Sequence, residues 1–207
     1  MTAPILVVNP RHPEPRKIAQ AAKVLDDGGV IFYPTDSVYA LGAAWGARKA
    51  VERLYQLKQL DARRQLSIVC ADLSDVARYA IVSDFAYRQL RRLLPGPYTV
   101  LLEVTREVPK LLLDKRRTIG LRVPENPICQ ALVRALGRPL LTTSAIPPGA
   151  DLPCHDCDDA REAWKSGIDL LVDGGPTPGE PSTIVSLVGD MIEVIREGLG
   201  PVEGVLT

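Results

Sequence analysis

Six short stretches carry side chains able to grip an anion. Pro34-Thr35-Asp36-Ser37 follows the apolar run Val30–Tyr33, so hydroxyls and backbone amides there could hold a carboxylate or phosphate. The same four residue types also make an ordinary tight turn. Lys58 ends a helical pattern and is followed by Asp61, Arg63 and Arg64; such cations also simply complement a helix dipole. In Thr118-Ile-Gly-Leu-Arg-Val123, Arg122 alternates with Thr118 and Gly120, opposite Ile119, Leu121 and Val123. That puts its planar guanidinium, well suited to phosphate, on the more polar face. Thr142-Thr143-Ser144 follows another apolar run, Gly174-Gly175 leads to Pro181-Ser182-Thr183, and Arg196 ends the final apolar segment. Each has a purely structural alternative. Together they describe one surface rich in anion donors.

Other chemistries lack their residues. The chain holds two histidines, His12 and His155, far apart in sequence, so no Ser-His-Asp or Cys-His arrangement suggests itself. Cys154 and Cys157 form one C-x-x-C with no second pair; zinc needs about four ligands, so this stretch reads as a loop. Its Pro-rich setting argues against a redox motif. Cys70 and Cys129 sit in apolar surroundings and read as small buried side chains. Neither the P-loop nor the Gly-x-Gly-x-x-Gly pattern occurs, so a bound nucleotide would rely on dispersed Lys, Arg, Ser and Thr groups.

The elements that must position these groups alternate between helical and strand periods, which predicts an α/β protein. Strands are expected at Ile5–Val8, Val30–Tyr33, Leu66–Cys70, Tyr98–Val104, Thr118–Val123, Pro139–Thr143, Leu170–Val172, Thr183–Leu187 and Met191–Ile195. Helices are expected over Glu14–Asp27, stopped by Gly28-Gly29, and over Ala47–Lys58. Ser74 and Ser83 read as N-caps. A further helix places Ile128, Ala131, Leu132, Ala135 and Leu136 inward. Pro147–Asp158 reads as a loop, and Val188-Gly189-Asp190 as a hairpin connection. Parallel and antiparallel pairs are both implied, so the sheet is expected to be mixed.

With 207 residues, 46% of them hydrophobic, the chain is long enough for one domain with its own core. Lys+Arg and Asp+Glu both number 25, so no global field draws it to nucleic acid or membrane, and any anion site must come from local clustering. The opening MTAPILVVNPRHPEP lacks a basic region before a long apolar run, and no apolar stretch approaches the ~20 residues that span a bilayer. A soluble, cytoplasmic protein is expected.

The motifs have a familiar order. The run from Gly28 to Gly42, reading GGVIFYPTDSVYALG, resembles the opening motif of the YrdC-like threonylcarbamoyl-AMP synthase family. Pro95-Gly-Pro-Tyr-Thr99, Thr118-Ile-Gly-Leu-Arg-Val-Pro124, Thr143-Ser144 and Ser182-Thr183 follow in the sequence that family shows. Lys115-Arg-Arg-Thr-Ile-Gly120 and Tyr39-Ala-Leu-Gly42 look closest to its YciO-type subgroup. The resemblance runs from about Arg16 to Gly200 and implies one domain over residues 1–207, a twisted mixed open sheet with flanking helices around a concave electropositive cavity. It implies ATP, L-threonine and bicarbonate as substrates, and threonylcarbamoyl-AMP and pyrophosphate as products, feeding tRNA threonylcarbamoyladenosine formation. Mg²⁺ would arrive with ATP rather than in a protein cage. Lys58, Arg122 and Ser144 are implied to be catalytic. Thr35, Tyr39, Arg63, Arg64, Thr118, Thr142, Ser182 and Arg196 are implied to bind substrate alongside them.

Two positions depart from the family pattern. Its Lys-x-Arg reads Lys58-Gln59-Leu60 here, and its Ser-x-Asn reads Ser144-Ala145-Ile146. The alternative expectation is therefore a protein of this family that binds nucleotide or double-stranded RNA without efficient synthesis.

Overall fold

The computed structural model describes residues 3–59, 66–108 and 117–203. The predicted cations Arg63 and Arg64 lie outside the described residues, as do Leu60 and the basic pair 115–116. Ten strands form one mixed sheet: β1 (Ile5–Val7), β2 (Val30–Tyr33), β3 (Ala40–Ala44), β4 (Ser67–Val69), β5 (Tyr98–Glu103), β6 (Thr118–Arg122), β7 (Leu140–Ser144), β8 (Leu170–Asp173), β9 (Thr183–Ser186) and β10 (Glu193–Arg196). Their spatial order is β1-β8-β2-β3-β7-β4-β6-β5-β9-β10. Pairs β1/β8, β2/β8, β4/β6 and β5/β9 are parallel, and the others are antiparallel.

The helices are α1 (Pro15–Asp26), α2 (Arg48–Lys58), α3 (Leu73–Tyr79), α4 (Asp84–Leu93), α5 (Pro127–Leu136) and α6 (Cys157–Ala163). Their ends follow local chemistry. Ser83 accepts from the Ala86 amide at 3.1 Å and caps α4 as expected. Asn126 caps α5 by accepting from the Cys129 amide at 3.0 Å, and Gly137 closes it at φ 68°, a conformation that costs glycine little.

Four expectations are corrected. Asp72, not Ser74, caps α3: its carboxylate reaches the Ser74 amide at 2.8 Å, leaving the serine within the first turn. The stretch read as a loop to Asp158 already turns helical at Cys157, because Asp156 caps the Asp158 and Asp159 amides. Ala135 is exposed, while Cys129 and Val133 share the buried side of α5 with Ile128, Leu132 and Leu136. Ala40–Ala44, read only as part of a motif, is a central strand buried along its whole length.

The period-two pattern sorts side chains into two cores. Val30, Phe32, Leu41, Ile68, Val100, Ile119, Leu121 and Leu141 face the core covered by α2, α3 and α4. Ile31, Tyr33, Ala40, Ala44, Val69, Leu140 and Val172 face the core that α1 and α5 cover with Ile18, Leu25, Ile128 and Leu132. Leu25 and Leu54 are fully buried, each worth about 1.5–3 kcal/mol of transfer free energy. The α1/α5 apolar cluster draws on the β1-β8-β2-β3-β7 half of its sheet face, with Val69 of β4 at its border. The other half of that face carries polar side chains, and there the cavity opens. No helix among the described residues is long and apolar enough to cross a membrane.

Candidate functional site

A cavity of about 540 Å³ lies on this polar half of the sheet. Six neighbouring strands supply it: Thr142, Thr143 and Ser144 from β7, Ser67 from β4, Arg122 from β6, Thr99 from β5, Ile184 with the preceding Ser182 from β9, and Arg196 from β10. Gly120 makes the floor possible. A Cβ there would meet Ser67 Oγ at 2.6 Å and Thr99 Cγ2 at 3.0 Å, so glycine lets the Ser67 hydroxyl and the Thr99 methyl group, from the two neighbouring strands, close over β6. The alternation expected over Thr118–Val123 is present: Ile119, Leu121 and Val123 enter the core beneath, and Arg122 faces the cavity.

The opposite wall is the segment from Ile146 to Asp151. Its base is pinned by backbone bonds from Ala145 to the Tyr39 carbonyl and from Cys154 to the Ala145 carbonyl, both 2.8 Å. Lys58 completes the pinning. It lies four residues beyond Leu54 and seven beyond Val51, on the buried face of α2, so its stem follows the core and its ammonium emerges at the cavity. That ammonium donates to the Ile146 carbonyl.

Arg122 is 6% exposed, and one terminal nitrogen of its guanidinium is held by two acceptors. Its Nη2 donates to Asp36 Oδ1 at 2.7 Å and to Ser37 Oγ at 2.9 Å, and Asp36 also accepts from the Glu125 amide at 2.8 Å. Arg196 donates to the Ser182 carbonyl, and Ser182 Oγ pairs with Thr99 Oγ1 at 2.8 Å. Burial lowers the Arg196 pKa, and the nearby Arg122 charge lowers it further. Two guanidiniums thus repel across the cavity, an arrangement that an anion between them relieves. Facing Lys58, Arg122 and Arg196, the lining includes one carboxylate among the described residues, Asp151.

Of the residues singled out from sequence, Lys58, Arg122, Thr142, Ser144, Ser182 and Arg196 meet on this cavity. Thr35, Tyr39 and Thr118 do not line it. Thr35 is 2% exposed and its hydroxyl donates to the Val38 carbonyl at 2.6 Å. Tyr39 stacks on Phe32 at 4.5 Å and donates to the Gly175 carbonyl, with burial keeping its phenol protonated beyond the usual range. Thr118 is buried in β6. Sequence reasoning passed over Ser67, Thr99, Ile184 and the 147–151 wall. The strand alternation that exposed Arg122 also applied to Thr99, opposite Val100, but its pairing across the sheet had no local signal.

The cysteines are all free and buried, and Cys154 and Cys157 belong to the core against α6. No group of three or more potential metal ligands occurs among the described residues.

This fold agrees with known proteins. A family model named for Sua5, YciO and YrdC, and described as telomere recombination, matches residues 23–198. The chain belongs to this Sua5/YciO/YrdC family. It is 41% identical to YciO of Escherichia coli K12 over 197 residues, 95% of this chain and 96% of that one. The crystal structure of E. coli YciO superposes with a TM-score of 0.94 over 99% of this chain and all of the other. A Marinobacter nauticus protein named threonylcarbamoyl-AMP synthase is 34% identical over 83% of this chain and 92% of its own length. The crystal structure of P. abyssi Sua5 complexed with L-threonine gives a TM-score of 0.88 at 27% identity, covering 98% of this chain and 60% of that one.

Proposed function

We propose that this protein is a nucleotidyltransferase that forms threonylcarbamoyl-AMP and pyrophosphate from ATP, L-threonine and bicarbonate, more slowly than family members with both motif residues that it lacks. The observation that carries the reading is the convergence of Lys58, Arg122 and Arg196 with the Thr142, Ser144 and Ser182 hydroxyls on one cavity. The named synthases among its relatives and the threonine bound to P. abyssi Sua5 support the substrate assignment.

In this scheme the threonine amine condenses with bicarbonate to a carbamate, releasing water. A carbamate oxygen then attacks the α-phosphorus of ATP, the bond from that phosphorus to the bridging oxygen breaks, and pyrophosphate leaves with the electron pair. Lys58 and Arg122 offset charge that gathers around the reacting phosphorus, and Ser144 donates beside them. Arg196 and Ser182 hold the nucleotide, and close placement of the two reactants lowers the entropic barrier. Mg²⁺ would accompany the triphosphate rather than sit in a protein cage.

Ile146 favours a second reading. An apolar side chain lines the cavity where the family motif has an amide, which suits nucleotide or RNA binding without efficient turnover. Pyrophosphate release that requires both threonine and bicarbonate, with the adenylate identified by mass, tests the first reading. Lys58→Ala and Arg122→Ala should abolish it. Release that is absent, or indifferent to threonine, refutes the synthase. Double-stranded RNA affinity that falls steeply with salt then supports the second reading, and flat affinity refutes its RNA part.

A further inference from the structure

We infer that Asp36 is a positioning residue for the phosphate-gripping arginine: it fixes the Arg122 guanidinium and offsets its charge, so that the cavity binds phosphate by aligned donors more than by net charge. The inference rests on the nucleotide reading above and adds a residue that touches no part of the cavity itself.

The geometry is specific. Asp36 is held at both carboxylate oxygens, Oδ1 by Arg122 Nη2 at 2.7 Å and Oδ2 by the Glu125 amide at 2.8 Å. Its side chain is 7% exposed and that of Arg122 is 8% exposed, so neither ion is screened by bulk water. Ser37 Oγ accepts from the same Nη2 at 2.9 Å and is itself anchored through the Thr35 hydroxyl at 3.1 Å. The turn after β2 therefore grips one edge of the guanidinium from behind. Arg122 still lines the cavity, so the gripped edge aims the rest of the group at a ligand.

Charge makes the second half of the argument. Arg122 and Arg196 both line the cavity, where two like charges repel. Arg196 makes no ion pair among the described residues, whereas Arg122 is paired. Without Asp36 the cavity would gain about one full positive charge. A polyanion such as pyrophosphate would be held more tightly by it, because the Coulomb attraction in a partly buried site falls slowly with distance. It would also be held less well aligned for reaction. Asp36 thus trades anion affinity for orientation and ready product release.

The test compares the full chain with Asp36→Asn, which keeps the size and one acceptor oxygen, removes the charge, and puts an NH₂ donor in place of the second acceptor. Pyrophosphate affinity is measured by calorimetry, and threonine-dependent pyrophosphate release by steady-state kinetics. The variant should bind pyrophosphate about threefold or more tighter, while kcat falls about tenfold or more with the KM for ATP not raised. A merely structural role would weaken affinity and stability together and leave no such split. Unchanged or weaker pyrophosphate binding overturns the inference, and so does an unchanged kcat in the variant. An inactive wild type refutes the synthase reading instead and leaves the calorimetric arm to decide this one. Should Asp36→Asn not fold, Ser37→Ala removes the second acceptor of the same Nη2. It should lower kcat without raising the KM for ATP, and an unaltered kcat there overturns the inference.

Discussion

Arg196 Nη2 donates to the Ser182 carbonyl oxygen at 2.6 Å, so the cation ending β10 and the hydroxyl preceding β9 enter the cavity as one unit. Arg196→Ala removes a charged donor from the nucleotide end of that cavity. A hydrogen bond to a charged group is worth about 1.5–3 kcal/mol, so ATP affinity should fall about tenfold or more in calorimetry. Arg196→Lys should recover only part of it, because a point charge cannot hold the carbonyl and a phosphate with one planar fork.

The apolar wall is the second place to intervene. Ile146 lines the cavity, and its carbonyl receives the Lys58 ammonium. Ile146→Asn combined with Leu60→Arg restores the donors that the family motifs carry. A single well-placed donor at a reacting phosphate is worth about 3 kcal/mol, so the double variant should raise kcat at least tenfold in the pyrophosphate-release assay. An unchanged rate would locate the deficiency elsewhere.

Gly120 offers a test of the floor that removes no polar group. Its absent side chain is what lets Ser67 and Thr99 approach each other across β6. Gly120→Val should force both aside, cost about 1–3 kcal/mol in chemical denaturation, and weaken ATP binding. Gly46→Ala is a control for the reverse case: nothing lies within 4 Å of its Cβ, so the cavity should be untouched, with only the strain of φ 88° to pay.

The buried thiols predict an alkaline weakness. Burial pushes Cys154 up to about 11 and Cys157 and Cys129 up to about 12, from an ordinary 9.0. Native thiols keep protons that the unfolded chain releases, so their contribution is intact below about pH 9. It is lost as pH rises from 9 towards 12. Denaturation midpoints should fall over that range. Iodoacetamide should leave the four cysteines unlabelled in the folded protein at pH 7.5 and label them in denaturant.

Much of this protein was determined by its sequence alone, wherever the controlling interaction is local. Ser83 and Gly28-Gly29 mark helix ends because caps and left-handed turns act over three or four residues. Arg122 was legible because a strand alternates every second residue whatever lies beside it. Lys58 was legible because helical spacing carries it four residues past Leu54. What the tertiary structure decided depends on strand order. Thr99, Arg122, Ser144 and Arg196 share a cavity because β7, β4, β6, β5, β9 and β10 lie side by side, an order far from that of the chain. Asp36 finds Arg122 across 86 positions, and Ala40–Ala44 becomes a central strand although its small residues carry no β-branched signal. Pairing between distant segments is selected by the packing of whole faces, and that leaves no mark within any one segment.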